Sequence, residues 1–60
     1  MNITDVHIGQ WVVYRPYPGA PAEDGEVVGI RGTMVMVRYG WSSASVGATP
    51  PDLLTPGNPT

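Results

Sequence analysis

Sixty residues, no cysteine and a formal net charge of −2 bound the chain to one domain at most, with no disulfide and no thiolate metal site. Three arginines stand against five acids and there is no lysine, which is few cations for the phosphate neutralisation on which non-specific nucleic-acid binding rests. A chain this short buries only ~60% of the surface its unfolded form exposes, so its core must pack tightly or be completed by self-association.

Residues 1–9 read as a lead-in. Thr4 and Asp5 suit a side-chain-to-backbone turn, Val6 and Ile8 supply apolar contacts, and Gly9 permits the bend into the first strand. No basic segment followed by an apolar run opens the sequence, and no apolar run approaches the ~20 residues of a membrane span. Together with the missing cysteine, these features lead to the expectation of a cytoplasmic chain with no membrane contact.

Seven prolines and eight glycines punctuate the rest, leaving runs too short for helices and right for strands. Gln10 to Arg15 is the first predicted strand, rich in β-branched and aromatic types and stopped by Pro16. Pro16 to Asp24 is a loop, with Pro18-Gly19 and Asp24-Gly25 as turn dipeptides. Glu26 to Arg31 is the second strand, and Gly29 in its middle predicts a bulge or bend. Gly32-Thr33 is a two-residue hairpin turn leading into the third strand, Met34 to Tyr39. A loop over residues 40–45 carries Trp41. Val46 to Thr49 is a short fourth strand, residues 50–53 a helical turn begun by proline, and Leu54-Thr55 a last short strand. Residues 1–55 form the predicted domain, and Pro56 to Thr60 a frayed, flexible tail.

Side chains alternate along strands, which assigns the faces. Val12, Tyr14, Val35, Val37 and Tyr39 make the better core, because Arg15 and Arg38 then stay in solvent. Val27 and Ile30 both point inward if Gly29 bends its strand. Leu53, Val6 and Val46 cap the core. Trp11, Val13, Met34, Met36 and Val28 are left on the outer face, where an apolar patch rimmed by arginine marks an interface. Two other arrangements remove that patch: swapped faces, with Trp11 and the methionines inside, or coverage by the C-terminal segment.

Several of these features together resemble the small SH3-like barrels of the KOW and Tudor kind. A glycine precedes Val12-x-Tyr14; a long first loop ends in Gly25-x-Val27-x-x-Ile30; a tight turn leads to Val35-x-Val37-x-Tyr39; a Pro51-Asp52-Leu53 turn closes the set. The resemblance covers residues 6–55 and implies an all-β fold, a five-stranded SH3-like barrel with short 3-10 turns. The short, lysine-free, Pro- and Gly-rich style is also similar to proteins encoded by phages of GC-rich bacteria, which implies a small accessory or inhibitor protein. SH3-like barrels host peptide binders, nucleic-acid binders and subunit adaptors alike, so the resemblance leaves function open.

Three functional readings follow. The first is a non-catalytic protein-interaction or assembly module, with Trp11, Val13, Met34 and Met36 as apolar anchors and Arg15 and Arg38 as rim contacts. Its partner is another protein or a second copy of the chain, as in a homodimer. The second is a KOW-like nucleic-acid module using Arg15, Arg31 and Arg38 with Trp11 or Trp41 stacking on bases, which the acidic balance disfavours. The third is a Tudor-like aromatic cage for a methylated side chain, from Tyr17, Tyr39 and Trp41 with Asp24 as the carboxylate. Catalysis has little to work with. His7 is the one imidazole the chain offers as a base, and no second base activates Ser42, Ser43 or Ser45. Glu23, Asp24 and Glu26 lack the spacing of a cation loop, and neither metal nor cofactor is expected.

Overall fold

The valine-rich runs between the Pro and Gly breaks pair with one another into one antiparallel sheet in the computed structural model, which describes residues 1–40 and 46–57. The strands are β1 (Trp11–Tyr14), β2 (Glu23–Arg31), β3 (Met34–Tyr39), β4 (Val46–Thr49) and β5 (Leu54–Pro56), with 3-10 turns at Ile3–Asp5 and Pro51–Leu53. Their order across the sheet is β4-β3-β2-β1-β5. The expected all-β class and five strands are therefore present. Among the described residues no pairing joins β4 to β5, so the hydrogen-bonded ladder is an open sheet where a barrel was expected. No helix among them is long and apolar enough to cross a membrane.

The second strand starts at Glu23, three positions before the predicted Glu26, and the reason is Gly25. Asp24-Gly25 reads as a turn, yet Gly25 is paired with Val12 on one side and Tyr39 on the other. A Cβ there would collide with Val37 Cγ1 and crowd Tyr39 Cδ1 and Arg38 O, each at 3.1 Å. The glycine serves a close approach inside the sheet and not a turn. Gly32, by contrast, opens the β2–β3 turn at φ 61° as its position predicts.

The bulge is where it was expected. Val27 faces Val37, but Gly29 faces Met36, so Val28 is the extra residue. Downstream of it Ile30 lies opposite Val35 yet stays 45% exposed, and the expected inward packing of Ile30 is corrected. The pairing of β1 with β2 ends at Trp11–Glu26, so Ile30 has a strand neighbour on the β3 side alone.

Val6, Val12, Val27, Val35, Val37 and Leu54 form the core, with Met1, Ile3, Tyr14 and Tyr39 packed against it. Each such buried side chain contributes ~1.5–3 kcal/mol relative to an exposed one. Leu54, and not the expected Leu53, reaches the centre: it pairs with Tyr14 at the start of β5, whereas Leu53 ends the 3-10 turn and is half-buried. Val46 is 47% exposed and does not cap the core, because its partner is Arg38 on the other face.

Met1 and Gly57, the first and last described residues, both bond to this sheet. The ammonium of Met1 donates to the carbonyls of Pro51 and Leu54 at 2.7 and 2.8 Å. Asn2, and not Thr4 or Asp5, caps the first turn by accepting from the Thr4 amide and hydroxyl. Pro56 belongs to β5 and the Gly57 amide donates to Trp11 O at 2.9 Å, so ordered pairing runs two residues past the expected boundary at 55.

Candidate protein-binding face

Because Val12, Val35 and Val37 are buried, alternation puts their neighbours on the opposite, outer face. The pairing register arranges these neighbours in rows across the sheet. One row runs Trp11, Glu26, Arg38 and Val46. Val13 and Asp24 make the row on one side of it, and Gly29, Met36 and Ala48 the row on the other, followed by Arg31 and Met34. Trp11 is 40% exposed, Val13, Met34 and Met36 are half-buried, and Ala48 is exposed.

The anticipated outer-face residues thus share one side of the sheet but do not form one unbroken patch. Trp11 and Val13 on β1 are separated from Met34 and Met36 on β3 by β2. There Glu26 Oε1 accepts from Arg38 Nη2 at 2.8 Å. Both side chains are partly exposed, so the pair adds at most about 1 kcal/mol to stability. Its larger consequence is that Arg38 is not a free rim cation: its charge is cancelled within the chain. Arg15 is exposed just beyond β1, its amide donating to Leu53 O.

Sequence reasoning missed Glu26, Gly29, Val46 and Ala48 as members of this face. The signal for Glu26 was present, since it alternates with inward Val27. Gly29 could not be placed without knowing which residue the bulge inserts.

The aromatic residues of the expected cage are differently disposed. Tyr17 is 61% exposed in the β1–β2 loop. Tyr39 is turned to the core side, its ring tilted against Tyr14 with centroids 5.7 Å apart. Its hydroxyl shares a hydrogen bond with the buried Thr49 hydroxyl. Burial raises the Tyr39 phenol above its ordinary value of 10, with the Thr49 bond opposing that rise. Asp24, the carboxylate of the cage, lies by register on the outer side with Val13, so the sheet does not bring it to Tyr39. Trp41 falls outside the described residues, as do Ser42, Ser43 and Ser45.

Other chemistry is sparse. His7 is exposed in a turn, its amide donating to Gln10 Oε1. Among the described residues no three His, Cys, Asp or Glu groups gather as metal ligands. An open hollow of about 510 Å³, lined by Met1, Asn2, Ile3, Thr33, Pro51 and Asp52, shares none of the outer-face residues. Comparison with protein-family models, curated proteins and solved structures finds no match for this chain.

Proposed function

We propose that this chain is a non-catalytic protein-interaction or assembly module that binds through the outer face of β1 to β4, on an SH3-like scaffold. The scaffold reading is supported by the long β1–β2 loop, the β2 bulge, the Pro51–Leu53 turn ahead of β5 and the return of β5 to the side of β1.

One observation carries the functional reading. The outer face presents Trp11, Val13, Met34 and Met36 together with Val46 and Ala48, and the two charges at its centre, Glu26 and Arg38, already neutralise each other. The centre of such a face can be covered without stranding an unpaired charge, which is the costly event in burying polar groups. Tryptophan, methionine and arginine are also the residue types enriched where proteins meet. Nucleic acid is the poorer occupant, because one of the three arginines is spent on Glu26 and the chain carries a net −2.

The test is Trp11→Asp. The variant should keep the parent's circular-dichroism spectrum and melt close to the parent, while losing association. If it unfolds, Trp11 supports the core and the outer face is not free to bind.

A further inference from the structure

The outer face carries a feature that its own fold does not need. Gly29 lies mid-strand opposite Met36, and it is not among the glycines with positive φ. Among the described residues a Cβ built on it would meet Met36 alone, with Cβ at 3.8 Å and Cγ at 4.0 Å, ordinary van der Waals contact. Neither backbone conformation nor packing within the chain requires glycine there, and glycine inside a strand is weakening. Its presence leaves a hollow on the outer face beside the bulge. A hollow of that kind suits close approach by another chain.

The charges along β2 indicate what approaches. Asp24 and Arg31, near the two ends of the strand, are exposed and lie on the outer side by their pairing with Val13 and Met34. Among the described residues neither takes part in an ion pair. The strand thus runs from a negative end, across the hollow, to a positive end. A second copy laid antiparallel upon it meets both charges with their opposites. The point midway between Asp24 and Arg31 falls at the Val27–Val37 pair. A two-fold through that point exchanges the Glu26–Arg38 row with the Gly29–Met36 row. The ion pair of one copy then sits over the glycine hollow of the other, and like charges do not meet.

We infer that two copies of this chain stack outer face to outer face, β2 antiparallel to β2, with Asp24 of each facing Arg31 of the other. The inference rests on the outer face being a protein-binding face and names its occupant. The outer sides of β1 to β4, strands of four to nine residues about 4.8 Å apart, give at most on the order of 400 Å² per copy. That is about half of a standard interface, so the dimer is weak, with a Kd expected in the range ~10–100 µM.

Sedimentation of the untagged chain from about 10 µM to 1 mM should show a concentration-dependent monomer–dimer equilibrium. Gly29→Val should leave the melt intact and weaken the dimer about tenfold or more, because the hollow is filled. Asp24→Arg and Arg31→Asp should each weaken it roughly three- to tenfold, and the double exchange should restore it to within about twofold. A Gly29→Val chain that unfolds, a dimer indifferent to it, or a double exchange that restores nothing overturns the stack. A parent that stays monomeric at about 1 mM also overturns it, while leaving the outer face to a foreign protein. A dimer that survives Trp11→Asp overturns both the stack and the outer-face reading beneath it.

Discussion

Two glycines four residues apart on one strand mark the difference between the faces of this sheet. Gly25 faces inward, and any side chain there would run into Val37 and Tyr39. Gly29 faces outward with room to spare. On the inner face each position is determined by its neighbours: the Tyr39 ring packs at a tilt against Tyr14 and its hydroxyl reaches Thr49. Gly47, too, lies under that ring, where a Cβ would come within 3.4 Å of Tyr39 Cε2. On the outer face Trp11, Val46 and Ala48 are exposed and Val13, Met34 and Met36 only half-buried, and the ion pair found there among the described residues is that of Glu26 with Arg38. The inner face is thus explained by folding alone, whereas the outer face is where the proposed interface lies.

The largest effect that sharpens this contrast belongs to the centre of the core. Leu54→Ala should cost about 2–5 kcal/mol, enough to unfold much of a domain this small, read as the midpoint of urea denaturation. A cost near that of a surface change would mean that the inner face is not the core.

Tyr39→Phe comes next. It leaves the buried Thr49 hydroxyl without its partner, an expected loss of about 1–3 kcal/mol at neutral pH. Its pH dependence is more specific. Burial raises the Tyr39 phenol above 10, so the folded chain keeps a proton that the unfolded chain has lost. This contribution is whole below pH 10 and disappears as the pH rises through the folded-state value. Thermal melts of the parent should therefore fall more steeply above pH 10 than those of Tyr39→Phe. Parallel curves would show that the phenol is as exposed folded as unfolded.

The smallest effect is expected on the outer face. Arg38→Ala breaks the Glu26 pair but leaves both positions partly in water, so the isolated chain should lose at most about 1 kcal/mol. A loss of several kcal/mol would place the pair in a buried setting and erase the distinction between the faces.

Much of the inner face was legible in the amino-acid sequence, because period-two alternation in Val35-x-Val37-x-Tyr39 and the position of Arg38 leave one sensible side for the core. The bulge was legible from a glycine within an apolar run. What escaped depends on three-dimensional neighbours. Asp24-Gly25 has the composition of a turn, and nothing local reveals that Val37 needs its space. Ile30 is as apolar as Val27, and its exposure follows from where β1 stops. Leu53 and Leu54 are chemically alike, and the register of β5 against β1 decides which is buried. Of the candidate site, the outer residues could be assigned to one side, but the ion pair dividing them required the β2–β3 register.

The most direct test compares Gly25→Ala with Gly29→Ala by thermal melting of the dilute, monomeric chain. Gly29→Ala should melt at or above the parent, since the added methyl meets only ordinary contact with Met36 among the described residues. Gly25→Ala should cost about 1–3 kcal/mol, lowering Tm by roughly 4–8 °C for each kcal/mol. If the two fall together, the outer glycine is a demand of the fold and nothing on that face calls for a partner.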